Sequence, residues 1–89
     1  MYVVRFSEDA QKDVLLLQKH APQLMPKLYK LVDELKEHPR SGTGKVEQLK
    51  HYANETWSRR INREHRIVYE IYDNEVIVVV LSSYGHYEK

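Results

Sequence analysis

Residues 44 to 69 read GKVEQLKHYANETWSRRINREHRIVY. From Trp57 onward, every second side chain is large, and the pattern continues to Ile71. Large side chains recur in two runs, Trp57, Arg59 and Ile61, then Ile67, Tyr69 and Ile71. A period of two is typical of a strand whose two faces meet different surroundings. The stretch therefore predicts neighbouring antiparallel strands, with a turn at residues 62–65.

The pattern continues on both sides of this stretch. A polar turn at residues 73–75 leads into residues 76–81, which are apolar at every position. Such a run predicts a central strand that is covered on both faces. At the start of the chain, residues 2–6 are rich in aromatic and β-branched side chains and predict a further strand.

Two helices are predicted between these strands. The first runs from about residue 8 to residue 20, because Ser7 offers a cap and two acids follow it. The second has apolar positions at helical spacing, with Pro22 near its start and Pro26 expected to kink its first turns. It ends before Pro39, which disfavours helical geometry at His38. The fold class is α+β, with two helices on one face of a mainly antiparallel sheet and the other face partly open.

Length and composition limit the class of protein. A chain of 89 residues predicts a single domain, residues 1–89. The absence of cysteine excludes a disulfide framework and a thiolate metal site. The longest apolar run, residues 76–81, is far short of the ~20 residues that cross a bilayer, and no leader pattern opens the chain. We expect a cytoplasmic protein that makes no membrane contact.

The charge is unevenly distributed along the chain. The overall net charge is +1, yet residues 40–66 contain seven basic and three acidic side chains, a local net charge of +4. Residues 67–89 contain one basic and four acidic side chains. A concentrated positive field attracts polyanions. The middle of the chain is therefore the predicted landing place for a phosphate backbone.

Two arginines are expected on the open face of the sheet. If the large residues of the second run point into the core, then Arg66 points away from it, and Arg60 and Ser58 share that face. Guanidinium groups make planar contacts to phosphate that an ammonium cannot reproduce. The alternative is a solvated face on which the arginines only pair with nearby acids.

The end of the chain offers a proton donor. His86 has the ordinary imidazole chemistry for protonating a leaving oxygen near neutral pH, and Tyr84 and Tyr87 offer rings on which a base could stack. Glu47 is the candidate base, with Lys50 and His51 as phosphate contacts. The alternatives are an exposed terminal histidine and an ion-paired carboxylate.

Metal and cofactor chemistry is weakly supported by these residues. His51, His65 and His86 are the candidate zinc ligands, but none has the close spacing typical of such sites. The sequence has no glycine-rich phosphate loop that precedes a helix. We therefore predict neither a metal nor a cofactor.

Four motifs in order carry a family resemblance: residues 44–51 (GKVEQLKH), 57–61 (WSRRI), 64–69 (EHRIVY) and 85–87 (GHY). Together they resemble the YoeB group of the RelE/ParE toxin superfamily. The resemblance implies a type II toxin that cleaves messenger RNA on the ribosome. The first motif of this chain differs from the proline-containing version that is frequent in the group. Glu88 and Lys89 extend beyond the end seen in some members.

The resemblance also implies residue roles. Glu47 resembles the general base, Arg66 the phosphate-stabilising arginine, His86 the general acid, and Tyr87 the tyrosine beside that histidine. The RNA-binding positions implied or predicted are Lys50, His51, Arg59, Arg60 and Tyr84.

The implied partners are a cognate antitoxin of the Phd/YefM type, the ribosome and messenger RNA. A homodimer is left open, as is operator binding by the toxin–antitoxin complex through the antitoxin. The alternative function is that of a ParE-like toxin, which inhibits a target such as gyrase without cutting RNA.

Overall fold

The chain is described from a computed structural model over residues 1–83, without the side chains of Val80, Ser82 and Ser83. The predicted site residues Tyr84, His86 and Tyr87 lie outside the described residues. The helices are α1 (Glu8–His20) and α2 (Met25–Glu37), and a short 3₁₀ turn (Pro22–Leu24) joins them. The strands are β1 (Val3–Phe6), β2 (Glu47–Leu49), β3 (Thr56–Arg60), β4 (His65–Ile71) and β5 (Glu75–Ser83).

The five strands form one sheet in the order β1-β5-β4-β3-β2. Neighbouring strands are antiparallel except for β1, which pairs in parallel with β5. The predicted α+β class, with two helices and a mainly antiparallel sheet, is confirmed. The interior position of β5 is also confirmed, although β4 is the middle strand.

The prediction that both faces of β5 are covered is wrong in part. Val76 and Val78 are fully buried, whereas Ile77 and Val79 are only partly buried. Within residues 1–83, helices cover only the face that bears Val76 and Val78. Uniform apolarity marks an interior strand, but it does not report how well each face is covered.

Local signals explain the limits of the helices. The Ser7 hydroxyl accepts a hydrogen bond from the Ala10 N–H at 3.0 Å, which caps α1 as predicted. The α1 helix ends before Pro22, and the first residues of the predicted second helix form the separate 3₁₀ turn. Pro26 lies in the first turn of α2, where a missing N–H costs no helical hydrogen bond.

The core lies between the helices and one face of the sheet. Its buried members come mainly from α1, α2, β4 and β5, and they include Ala10, Leu17, Leu28, Leu31, Leu35, Ile67, Tyr69, Ile71, Val76 and Val78. Because side chains alternate along a strand, the neighbours of these residues project from the other face. That second face has no helix over it among residues 1–83, and it bears the candidate site.

Candidate functional site

Glu47 and Arg66 meet on the sheet face opposite the helices. In the strand register Glu47 lies across from Ser58, and Arg60 lies across from Arg66. The core positions Ile67 and Tyr69 force the alternate residue Arg66 onto the opposite face. The sequence prediction that Ser58, Arg60 and Arg66 share one face is therefore confirmed.

The Arg66 guanidinium is fixed at the edge of this face. Its Nη1 donates a hydrogen bond to the Ser58 hydroxyl at 3.2 Å and lies 3.9 Å from Oε1 of Glu47. The Arg66 side chain is 14% exposed, and that of Glu47 is 63% exposed. A carboxylate open to solvent thus lies beside a largely buried cation.

One donor of the Arg66 guanidinium is inaccessible to solvent. Its Nε is buried and has no hydrogen-bond partner among residues 1–83. An unpaired buried donor costs roughly 1–3 kcal/mol, and more when it is charged. Because this Nε is inaccessible, only the Nη groups of Arg66 could contact a phosphate, whose oxygens suit the planar donors of a guanidinium.

The backbone before β2 holds Glu47 in place. Gly44 has φ 96°, and its carbonyl accepts a hydrogen bond from the Arg60 N–H. A Cβ atom at residue 44 would lie 2.6 Å from the Arg60 carbonyl oxygen, so only glycine permits this approach. The chain therefore enters β2 pressed against β3.

The predicted RNA contacts Lys50 and His51 are exposed at the far end of β2. His51 has φ 70°, in the left-handed region, where the chain turns toward β3. Arg60 is partly buried across from Arg66. These three side chains lie on or beside the two strands that carry Glu47 and Arg66.

The prediction of Arg59 as an RNA contact is wrong. Arg59 is fully buried and lies across from Ile67 on the helix side of the sheet. Its guanidinium donates to Glu34 Oε1 at 2.9 Å and to the carbonyl oxygens of His38 and Ser41 at 2.9 and 2.8 Å. Its alternation with Trp57 and Ile61 was the signal that placed it inward.

Glu34 was not predicted, yet it connects Arg59 to the loop before β2. It accepts hydrogen bonds from the N–H and hydroxyl of Thr43, at 2.9 and 2.8 Å. Burial raises the pKa of Glu34, but the Thr43 bonds and the Arg59 charge outweigh it, and the pKa lies below its ordinary value of 4.5. The pair of Glu34 and Arg59 thus fixes the loop that leads to Glu47.

The positive charge of this region is partly neutralised. Arg40 donates to both carboxylate oxygens of Glu55, at 2.7 and 2.9 Å, and the Trp57 indole N–H donates to the same carboxylate. The Arg40 hydrogen bonds, and after them that of Trp57, outweigh burial and hold the pKa of Glu55 below its ordinary value. Lys50 and Arg63 remain exposed.

Within residues 1–83 there is no group of three or more histidine, aspartate or glutamate side chains placed to hold a metal. His65 lies beside Asn62, with Nδ1 3.1 Å from its side-chain oxygen. In the same part of the chain, no helix is long and apolar enough to span a bilayer.

Comparison with known proteins identifies the relatives of this chain. The family described as "YoeB-like toxin of bacterial type II toxin-antitoxin system" matches residues 6–87. The toxin YoeB of Synechocystis sp. is 35% identical over 86 residues, which are 97% of this chain and 98% of that protein.

Solved structures show the same likeness. The YoeB dimer from Staphylococcus aureus has a TM-score of 0.80 and 32% identity, over 97% of this chain and 98% of that chain. A YoeB–YefM complex from the same organism has a TM-score of 0.78 and 31% identity, over 98% and 99% of the respective chains.

Proposed function

Because this chain belongs to the YoeB-like toxins of bacterial type II toxin–antitoxin systems, we propose that it cleaves messenger RNA on the ribosome and thereby stops translation. The observation that supports this activity best is the pairing of Glu47 with Arg66 on the sheet face opposite the helices. A carboxylate open to solvent can accept a proton from a substrate, and the largely buried guanidinium beside it can stabilise negative charge. Both are requirements of phosphodiester transfer.

The proposed reaction uses a nucleophile within the RNA. Glu47 accepts the proton of a ribose 2′-hydroxyl, and the 2′-oxygen forms a bond to the adjacent phosphorus. The bond from phosphorus to the 5′-oxygen breaks, and His86 donates a proton to that oxygen. The products are a 2′,3′-cyclic phosphate and a 5′-hydroxyl end.

Arg66 has the role of stabilising charge in this scheme. The negative charge on the phosphorane oxygens grows in the transition state, where a fixed planar donor contributes more than in the ground state. The contact to Ser58 holds the guanidinium in one orientation before the substrate arrives. In this proposal Tyr87 completes the site beside His86.

Binding is assigned to the surface around these residues. Lys50, His51 and Arg60 are proposed to contact phosphates, and Tyr84 to stack on a base. The ribosome is proposed to align the strand for in-line attack, which accounts for the small size of the enzyme. No metal is required by this chemistry.

The partners follow from the family. The staphylococcal relatives include a YoeB dimer and a YoeB–YefM complex. We propose that this toxin is held inactive in the cytoplasm by an antitoxin of the Phd/YefM type and that the free toxin forms a dimer. In this scheme the complex binds operator DNA through the antitoxin.

The test is a single 2′-deoxy substitution in a messenger RNA on purified translating ribosomes. Wild-type toxin is expected to lose cleavage when the substitution lies immediately 5′ of the cut, and to retain it when the substitution lies one nucleotide away. Primer extension locates the cut, and end analysis detects the cyclic phosphate. Cleavage at the deoxy position would contradict the mechanism, and intact messenger RNA with inhibited gyrase would favour the ParE-like alternative.

A further inference from the structure

The two ends of β2 share an unusual backbone conformation. Among residues 1–83, Lys45 and His51 are the only residues other than glycine with a positive φ, at 54° and 70°. Lys45 comes two residues before β2, and His51 comes two residues after it. This left-handed conformation crowds a Cβ atom against the backbone, so glycine or asparagine is the usual residue there. The strand that carries Glu47 is therefore flanked by two side chains in positions that disfavour them.

Contacts on both sides impose this conformation on Lys45. The carbonyl of the preceding residue, Gly44, accepts a hydrogen bond from the Arg60 N–H. Two residues after Lys45, Glu47 pairs with Ser58 in the same strand, β3. The backbone is thus fixed to β3 before and after Lys45, and it has to turn between the two contacts. The tertiary structure requires the turn, but it does not require a lysine.

Lys45 lies beside other positive charges. Its neighbour Gly44 is bound to Arg60, and Arg60 lies across from Arg66 on β4. Neighbouring strands are about 4.8 Å apart, so the backbones of the three basic residues lie within about 10 Å of one another. Lys45 is exposed, and within residues 1–83 no ion pair involves Lys45 or Arg60. Like charges this close repel one another, and a bound anion offsets the repulsion.

Protection of the sheet edge is the alternative explanation for this lysine. β2 is an edge strand, and a charged side chain at such an edge hinders pairing with another chain. Lys50 already provides an exposed charge at the other end of the same strand. Edge protection also gives no reason to keep a lysine at a left-handed position. Conformational strain that is retained at one position is more typical of a functional site.

We propose that Lys45 binds a phosphate of the messenger RNA that flanks the one that is cut, so that the RNA backbone follows β2. Lys45 and His51 then contact phosphates at the two ends of the strand, and Glu47 reaches a ribose 2′-hydroxyl between them. His51 follows Lys45 by six residues, and an extended strand of that length covers at most about 20 Å. A few nucleotides of single-stranded RNA span that distance. This inference rests on the proposed function and adds a binding residue to it.

The experiment measures the half-saturating toxin concentration and the single-turnover rate on translating ribosomes at several salt concentrations. Lys45→Asn removes the charge and keeps a residue that tolerates the left-handed backbone. We expect the half-saturating concentration to rise about fivefold and the logarithmic salt slope to weaken by about 0.7, as for one lost phosphate contact. The rate at saturation should stay within about threefold of wild type. Lys45→Arg keeps the charge and should bind like wild type.

Lys45→Gly separates binding from folding. Glycine relaxes the strained backbone, so the thermal transition of this variant should lie at or above that of wild type. Its affinity for ribosomes should nevertheless fall as far as that of Lys45→Asn. The matched control is Lys12→Gln, which removes an exposed cation from α1 and should keep the wild-type affinity and salt slope.

A change in the message identifies which RNA supplies the phosphate. Single uncharged methylphosphonate linkages are placed in turn at the phosphates that flank the cut. At one position, wild-type toxin should lose about as much affinity as Lys45→Asn loses on the unmodified message. Combining the two changes should cause no further loss, because both remove the same contact. Losses that add at every position would assign the contact to ribosomal RNA and overturn the proposal.

Wild-type affinity and salt slope in both Lys45→Asn and Lys45→Gly would also overturn it, as would a loss in Lys45→Arg equal to that in Lys45→Asn. The affinities are measured again by co-sedimentation with ribosomes on a message that has a 2′-deoxy nucleotide 5′ of the cut, where binding needs no cleavage. A wild-type toxin that binds ribosomes but cuts no message would contradict the proposed function, and the co-sedimentation would still decide whether Lys45 binds the phosphate.

Discussion

The Nη1 atom of Arg66 donates to the Ser58 hydroxyl and lies 3.9 Å from the Glu47 carboxylate. The planar set of donors in a guanidinium cannot be reproduced by an ammonium group. We expect Arg66→Lys to reduce single-turnover cleavage by ~100-fold, nearly as much as Arg66→Ala, because removal of one transition-state donor costs a factor of that order. Circular dichroism on the same samples verifies folding. A lysine variant that cuts at the wild-type rate would show that charge alone suffices.

Glu47 has little contact to lose on substitution. Its side chain is 63% exposed, so Glu47→Gln should change the free energy of unfolding by less than ~0.5 kcal/mol. Cleavage should nevertheless fall by at least ~100-fold, because an amide cannot accept the 2′-hydroxyl proton. The control is Glu64→Gln, an exposed acid in the turn between β3 and β4, which should cleave normally. Equal rates for the two variants would remove Glu47 from the mechanism.

Glu34 affects stability rather than chemistry. Arg59 is fully buried, and removal of its carboxylate partner in Glu34→Ala should destabilise the fold by about 3 kcal/mol. Because the folded pKa of Glu34 is lowered, its contribution is complete well above pH 4.5 and is lost as pH falls through the folded pKa. Urea unfolding at several pH values should show the difference from wild type shrinking below pH 4.5. A difference independent of pH would contradict this account.

The sequence predicts the limits of α1 better than it predicts the short 3₁₀ turn or the irregularity in β5. The limits of α1 follow from local chemistry, namely the Ser7 cap and the proline after its end, and they were predicted closely. The separate 3₁₀ turn and the bulge in β5 depend on tertiary contacts, and local patterns do not record them. Alternation correctly predicts Arg66 on the sheet face opposite the helices. The same alternation places Arg59 inward, whereas its charge alone favours a surface position, and the buried partners that reverse this preference are tertiary contacts.

The entry to β2 depends on one residue of the loop. Gly44→Ala would put a methyl group 2.6 Å from the Arg60 carbonyl at a φ of 96°, so β2 must move away from β3. We expect a loss of roughly 1–3 kcal/mol in the free energy of unfolding and a fall in cleavage larger than this instability explains. Lys45→Gly, at a φ of 54°, relaxes strain in the same loop and should not destabilise the protein. An alanine variant as active and stable as wild type would refute the tight contact.

At the scale of the whole molecule, the sheet separates the residues that stabilise the fold from the residues proposed to cleave RNA. The helices and the buried pair of Arg59 with Glu34 lie on one side, and the paired Glu47 and Arg66 lie on the other. The exposed cations Lys50 and Arg63 can therefore remain solvated, while Glu34 and backbone carbonyls accept hydrogen bonds from the buried Arg59 on the helix side. This division places the charged pair proposed to act on RNA away from the helix-covered core.

The exposed cations of residues 40–66 should affect the binding of toxin to ribosomes rather than the rate of the cleavage step. Substituting Lys50→Gln and Arg63→Gln together removes two exposed cations and lowers the net charge of residues 40–66 from +4 to +2. The half-saturating toxin concentration on ribosomes should rise, and its dependence on salt should weaken by about 0.7 in logarithmic slope for each lost phosphate contact. The single-turnover rate at saturation should change less than about threefold.

The matched control removes the same charge from the other side of the molecule. Lys12→Gln with Lys19→Gln takes two exposed cations from α1, on the helix side of the sheet. If local phosphate contacts matter, this control should keep the wild-type salt slope, although the net charge of the protein has fallen equally. An equal loss of slope in both double variants would mean that ribosomes respond to overall charge alone. The assignment of RNA binding to the face that bears Glu47 and Arg66 would then be wrong.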